Sequence, residues 1–479
     1  MSTRRRLRAA RGALVILATI LAAACTAPAP EQFEAPVAAD GIRRDIPAAQ
    51  RMNLILILTD DQWASSVAQM PNVTRLLRGH GITFRNAFVT TSLCCPSRAS
   101  ILTGQYAHNT GVHTNQGPNG GAHVFKDAST VATWLHDAGY TTSLIGKYLN
   151  GYSTTTVPPG WDDWHAIAGR IRTGDDEDLS GAPFYDFRLN ENGRMVTYGS
   201  TPSDYSTDVY SRKALEFIDR AAAPFFLYVS TNAPHLPSTP ATTDIGKFAN
   251  EPPYRPPSFN EPDVGDKPWG ARVDPLTTKE IRDIDSHRRS SLESLLAVDR
   301  MVASIVGTLE RKGELDRTVI MFTSDNGFLY GEHRLSNKIW AYEPSIGVPM
   351  IVRVPWLTKP VEDSRMVLNI DIAHTFADIA GVKPSLKQDG LSLVPLLTRA
   401  KTSWRDEVLI EWLGGGTPPL MRFGAVRTDR YKLIVYRDLT RELYDLKSDP
   451  YELRNLSGLP GMRSIEDGLA TRLRRLIAR

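Results

Sequence analysis

The chain has 479 residues, with 56 Lys plus Arg against 53 Asp plus Glu, and the resulting formal charge of +3 argues against a polyanion-binding protein such as a nucleic-acid binder. A hydrophobic content of 42% with 8% aromatics belongs to a folded chain rather than a disordered one. Three cysteines, Cys25, Cys94 and Cys95, allow no disulfide framework and lack the paired spacing of a structural zinc site.

Residues 1–24 read as a signal peptide: Met1 to Arg11 carries five arginines and no acid, and Ala13 to Ala24 is apolar and too short to span a bilayer. Removing those five charges takes the formal charge from +3 to −2, so the apparent basicity belongs to the export signal. Leu21 to Cys25 resembles the bacterial lipobox, with Ala22 where Leu is usual, which implies a lipid anchor on Cys25. Thr3-Arg4-Arg5-Arg6-Leu7 loosely resembles a twin-arginine signal, while a generic positive segment explains it equally well. Residues 25–50, rich in Ala and Pro, read as a flexible tether. The expected location is outside the cytoplasm, as a cell-surface lipoprotein or a secreted protein.

Met52 to Leu58 is a continuous apolar run followed at once by Thr59-Asp60-Asp61, the pattern of a buried strand with two carboxylates at its C-terminal end. In open α/β sheets that edge is where ligands bind. The pattern recurs: a helix-like Ser129 to Ala138 precedes Thr141 to Ile145 and then Gly146-Lys147, and a helix-like Asp208 to Ala222 precedes Phe225 to Val229 and then Pro234-His235. A long helix-like stretch, Ser291 to Lys312, leads to Val319 to Phe322 and Ser324-Asp325-Asn326-Gly327. The alternation predicts an α/β fold, a large and mostly parallel sheet sandwiched by helices over residues 51–400. Beyond Ala400 the short alternating runs Tyr431 to Tyr436 and Glu442 to Asp445, then a helix-like Ser464 to Ala478, predict a small antiparallel sheet with a terminal helix over 401–479. Two Pro, Gly and Trp-rich stretches, Val157 to Trp164 and Pro252 to Trp269, read as long surface loops that shape a pocket.

The most specific local signal is Cys94-Cys95-Pro96-Ser97-Arg98-Ala99-Ser100-Ile101-Leu102-Thr103-Gly104, which matches C-x-P-S-R-x-x-x-L-T-G at all seven specified positions. On these residues the chain resembles the sulfatase family of the alkaline phosphatase superfamily. The resemblance implies that Cys94 is oxidised after synthesis to formylglycine by a dedicated maturation enzyme, and that Cys95 is out of register. The conversion has a chemical reason: a hydrated aldehyde carries two hydroxyls on one carbon, one to attack sulfur and one to expel sulfate and restore the aldehyde. A serine would leave a sulfate ester for water to cleave separately. Pro96 is expected to open a helix at its first position, with Ser97 to Leu102 continuing it, so that residue 94 lies near backbone N–H groups that favour an anion. A tyrosine-phosphatase loop would need Arg where Ser100 stands, and no phosphate-cradling Walker loop is present.

The same resemblance implies metal ligation by Asp60, Asp61, Asp325 and Asn326 beside residue 94. Oxygen donors at two strand ends suit a hard cation, calcium by family and magnesium as the alternative. It further implies that Arg98 holds the nucleophile's diol and that Lys147, His235 and Lys338 bind sulfate oxygens. Three carboxylates, one divalent cation and three basic side chains leave +2, which balances a monoanionic sulfate ester plus a diolate.

One position departs from the family. Many sulfatases have a histidine two residues after the Lys147 equivalent, where this chain has Leu149, so His235 is the expected leaving-group acid and His333 a further contributor or a loop-positioning residue. The Cys-Cys form of the motif, Gln105 to Asn109, and Gly146-Lys147-Tyr148-Leu149-Asn150 are similar to the N-acetylglucosamine-6-sulfatase branch, which implies a sulfated sugar, with aryl sulfates the other substrate class. Trp161, Asp162 and Trp164 are candidates to stack on a ring, or else packing residues. General resemblance runs from Asn53 to Leu456. Two alternatives stay open: a phosphate or phosphonate ester hydrolase of the same superfamily, and a non-catalytic surface protein that binds sulfated glycans.

Overall fold

Seven consecutive buried residues, Asn53–Thr59, form strand β1 at the centre of a ten-stranded sheet. These positions belong to a computed structural model of the chain, which describes residues 51–170, 183–270, 273–414 and 422–478. The expected signal peptide, tether and Cys25 lie outside the described residues. Among the described residues, no helix is long and apolar enough to cross a membrane.

The sheet runs in the order β12 (Val361–Leu368), β2 (Gly81–Phe88), β11 (Met350–Arg353), β8 (Thr318–Ser324), β1, β7 (Phe225–Ser230), β3 (Thr141–Gly146), β4 (Asp163–Arg170), β5 (Phe187–Glu191) and β6 (Arg194–Tyr198). The central block β8, β1, β7, β3, β4 is parallel throughout, as the alternation of helices and apolar runs predicts. Its margins are mixed: β11 runs antiparallel between β8 and β2, and β5 and β6 form an antiparallel edge.

Alternate residues of β1 enter two separate cores. Leu54, Leu56 and Leu58 pack with Trp134, Leu135 and Phe376, whereas Ile55 and Ile57 pack with Phe217, Val298, Val302 and Ile305. Each such side chain, taken fully from water, contributes about 1.5 to 3 kcal/mol. Both faces of β1 are therefore covered, and only its ends are free to carry chemistry.

A short pair, β9 (Leu329–Tyr330) with β10 (Ser336–Asn337), follows β8. The chain ends in an antiparallel sheet of β13 (Glu407–Trp412), β14 (Phe423–Thr428), β15 (Tyr431–Tyr436) and β16 (Arg441–Asp445), covered by the helix Arg463–Ile477. One expectation needs correction. The long helix spans Thr278–Arg311, thirteen residues earlier than its apolar stripe suggested, because Thr277 and Glu280 form a capping box. Of the two readings of Trp161 and Trp164, packing holds, since they lie in the core against Phe226 and Tyr148; Asp162 is exposed and accepts from the Thr142 amide at 2.9 Å, at the sheet edge opposite Asp60. The stretch from Pro252 to Trp269 is the surface loop expected, anchored where the Asn260 amide donates to Gly331 O and where Trp269 is fully buried.

Candidate active site

The helix α1 (Cys94–Thr103) begins with the cysteine pair, two residues before the start expected from Pro96. Pro96 is its third residue, where the missing N–H is one of the four that no intrahelical carbonyl would accept. This register puts Cys94 itself at the positive end of the helix. The Cys95 amide donates to Asn115 Oδ1 at 2.9 Å, which ties the helix start to the following loop.

Backbone bonds draw the strand ends together around Cys94. The amide of Asp60 donates to Ala233 O and that of Asp325 to Thr59 O, each at 3.1 Å, so the ends of β1, β7 and β8 form one rim. Asp61 adopts a positive φ of 70°, a region that aspartate tolerates, and its amide donates to Asp325 Oδ1 at 3.1 Å. At the end of β3, Gly146 has φ 102°, and an added Cβ would lie 1.9 Å from Ser230 O. Only glycine fits there, and it lets Lys147 turn into the rim.

The structure brings Asp60, Asp61, Cys94, Arg98, Lys147, His235, Asp325, Asn326 and Lys338 to this rim. The Cys94 thiol lies 3.5 Å from Asp60 Oδ1, and Lys338 Nζ donates to Cys94 Sγ at 2.9 Å and also bonds Asp61. Lys147 Nζ donates to Asp60 Oδ2 at 2.5 Å. Arg98, fully buried, donates through Nε to Asp325 Oδ2 at 2.7 Å and through Nη1 to Ser230 Oγ at 2.5 Å and Lys147 O at 2.9 Å. Its Nη2 has no hydrogen-bond partner. His235 Nε2 lies 3.6 Å from Asp61 Oδ2, and its Nδ1 lies 2.7 Å from Leu236 O. With Nδ1 donating to that carbonyl, Nε2 keeps its lone pair toward the site.

Three carboxylates thus face three basic side chains in a largely buried site that stays open to solvent at His235. Burial would raise the Asp60 carboxyl, but Lys147, Arg98 and Lys338 together hold it far below the ordinary carboxylate range. Burial and the adjacent Asp60 push Asp325 up to about 6. Burial, reinforced by Asp60, pushes the Cys94 thiol up to about 12, so an unmodified Cys94 is protonated at neutral pH and a weak nucleophile. Burial opposes the charge on Lys338, yet the adjacent Asp61 carboxylate overcomes it and keeps the ammonium. Burial depresses His235, with Asp61 opposing, so its imidazole is the neutral form at rest.

The donor set fits a divalent cation. Ligand atoms of Asp60, Asp61, Cys94 and His235 all lie within 4.8 Å of one another. Asn326 Nδ2 donates to Asp61 Oδ1 at 2.7 Å, while its buried Oδ1 has no partner and is free to ligate. Hard oxygen donors dominate, as calcium or magnesium prefers. His235 joins this group as well as the anion-binding one, which its sequence context did not suggest. Asp325 turns toward Arg98 and the Asp61 amide. Two other expectations resolve simply: Leu149 is a core residue, and His333 is buried against Glu261 at 2.6 Å, where it orders a loop. Ser230, which holds Arg98, escaped notice in the sequence; its register opposite Gly146 at the end of β7 is the signal that finds it.

The carboxyl edge of a doubly covered sheet thus gathers a cysteine at a helix start, carboxylates and buried basic side chains, an arrangement suited to binding an anion. The sulfatase family model matches residues 52–382, and that of the N-sulphoglucosamine sulphohydrolase C-terminal region matches 331–479. The chain belongs to the sulfatase family. It is 36% identical over 400 residues to a Caenorhabditis elegans homolog of the extracellular sulfatase Sulf-1, covering 79% of this chain and 54% of that one. It is 36% identical over 389 residues to the human N-acetylglucosamine-6-sulfatase, covering 77% and 68%. The chain spans about half the length of the nematode relative. A structure solved in complex with its substrate, D-glucosamine-2-N,6-O-disulfate, superposes with a TM-score of 0.77 at 26% identity, covering 89% of this chain and 97% of that one.

Proposed function

We propose that the protein is an exported sulfatase that hydrolyses sulfate monoesters of an amino sugar such as N-acetylglucosamine-6-sulfate, with small aryl sulfates as reporter substrates. The nucleophile is the hydrate of a formylglycine made from Cys94. The observation that carries the reading is the Lys338 ammonium on Cys94 Sγ at 2.9 Å, within a rim of three basic side chains at the start of α1. A dianionic transition state at residue 94 meets fixed positive charge there, which is commonly the largest catalytic contribution.

Asp60, Asp61 and the free Oδ1 of Asn326 would hold a divalent cation, with Asp325 completing the set if it shares an oxygen now bonded to Arg98 or the Asp61 amide, and the cation would supply Lewis-acid polarisation beside residue 94. Arg98 fixes Asp325 through Nε, and its Nη2, 3.7 Å from Asp60 Oδ2 and without a hydrogen-bond partner, is the atom that would hold the diol. Lys147 and Lys338 take sulfate oxygens. His235 donates the proton to the leaving oxygen, since an anionic ester offsets the burial that depresses its basicity. The sugar assignment is supported by the name of the human relative and by the substrate in the structural neighbour's complex. Export and calcium are supported by the extracellular relative and the hard donor set.

The test is sulfate release from a panel of 4-nitrophenyl sulfate, sulfated glucosamines and the matching phosphonate monoesters. Sulfate esters turned over in preference, with Cys94→Ala losing turnover while keeping its melting temperature, is the expected result. Preferential phosphonate cleavage, or full turnover by Cys94→Ala, contradicts it.

A further inference from the structure

Lys338 is held between two residues in the left-handed region, Asn337 at φ 96° and Ile339 at φ 85°. Asparagine visits that region, but a β-branched isoleucine there is an outlier that persists only when its surroundings fix it. His333 and Arg334, at φ 54° and 64°, belong to the same run. The segment that delivers Lys338 to Cys94 is therefore kept against its backbone preference.

The restraint comes from the C-terminal sheet. Glu442 on β16 is fully buried, and its carboxylate accepts from four neutral donors: Trp269 Nε1 at 3.1 Å, Tyr436 OH at 2.6 Å, Tyr342 OH at 2.7 Å and Tyr444 OH at 2.5 Å. Lys432 on β15 donates to Ala341 O at 2.6 Å and to Glu343 Oε1 at 3.1 Å. Arg427 on β14 pairs with Glu343 at 3.2 Å, and the Glu343 amide donates to Glu452 Oε2 at 2.8 Å. Trp340 packs on Trp269 with ring centroids 5.0 Å apart. Every residue from 340 to 343 is thus pinned, most of them by side chains of the C-terminal sheet, immediately beyond the strained pair that flanks Lys338.

We propose that Glu442, acting through Tyr342, is a positioning residue that sets Lys338 against residue 94, so that the C-terminal sheet is a working part of the active site. The catalytic consequence rests on Lys338 being a sulfate ligand; the clamp itself does not. Buried carboxylates with fully satisfied lone pairs fix geometry because moving any donor leaves a charge without its partner.

Tyr342→Phe tests this, since it keeps the ring beside His333, whose centroid lies 4.3 Å away, and removes only the hydroxyl. For 4-nitrophenyl sulfate, kcat/KM should fall roughly ten-fold, the size of one hydrogen bond to a charged acceptor. In a Lys338→Ala background the same substitution should cost less than about two-fold, because the interaction it served is already gone. Glu442→Gln should repeat the pattern. Equal losses in both backgrounds mark a merely structural role and overturn the proposal. Amide hydrogen exchange gives a readout apart from turnover: residues 336–340 should exchange faster in Tyr342→Phe while β1 and β8 do not change. Unaltered protection at 336–340 overturns the clamp. Faster exchange there in a protein that turns over no sulfate ester would overturn the sulfatase reading and uphold the clamp.

Discussion

Arg98 Nε donates to Asp325 Oδ2 at 2.7 Å, and both side chains are fully buried. Such a pair is hard to break from one side, because the remaining charge keeps its burial and loses its partner. Arg98→Met should destabilise the fold by about 3 to 5 kcal/mol, and adding Asp325→Asn should recover part of that loss. Urea unfolding of the two variants measures this. A double variant no more stable than the single one contradicts the account.

Lys147 and Lys338 each place an ammonium where negative charge develops. Truncating either to Ala should lower kcat by roughly 10² to 10³, the range for one preorganised donor in acyl-transfer sites. Steady-state kinetics separates this from a loss of general binding: a rise in KM alone, with kcat kept, would move that lysine out of the reaction.

Chelation should remove activity and stability together. The carboxylates Asp60 and Asp61 and the unpartnered Asn326 Oδ1 offer a cation site that the unfolded chain lacks. A cation at a hundred times its dissociation constant stabilises the fold by about 2.7 kcal/mol, so its removal should lower the melting temperature and its return restore it. Asn326→Ala should weaken the rescue. A melting curve and turnover both indifferent to chelator would exclude the site.

Acid should weaken the protein through His287, which packs its ring on Phe328 and Tyr330. Burial pushes its pKa from 6.5 down to about 4. The unfolded chain takes up this proton below 6.5 while the folded one resists until about 4, so stability is intact above that window and falls as pH drops through it. The loss is on the order of 3 kcal/mol. Comparing urea midpoints at neutral pH and near the lower end of that window, His287→Phe should lose less stability than the parent. Parallel losses would remove His287 from the acid response.

The parallel core was legible because a buried strand announces itself as an apolar run and its polar end follows in the next residues. Asp60, Lys147, His235 and Asp325 were each found in that way. The antiparallel strand β11 was not, since Met350–Arg353 is only four residues long, too short for an apolar run to stand out. The Trp161 and Trp164 pair stayed undecided for a general reason: aromatic residues near Pro and Gly serve a ligand or a core equally well, and only packing against Phe226 and Tyr148 separates the two. The clamp on Lys338 was beyond sequence reading because it joins residues 342 and 442, and no local pattern encodes a contact across a hundred positions.

The central claim is that residue 94 acts as an aldehyde hydrate. Its most direct measurement is the specific activity of preparations made with different amounts of the formylglycine-generating enzyme, set against the fraction of aldehyde at residue 94 found by peptide mass spectrometry. Sulfate-ester turnover should rise in proportion to the aldehyde fraction and pass through zero where only thiol is present. Turnover in protein that carries the thiol throughout would contradict the account.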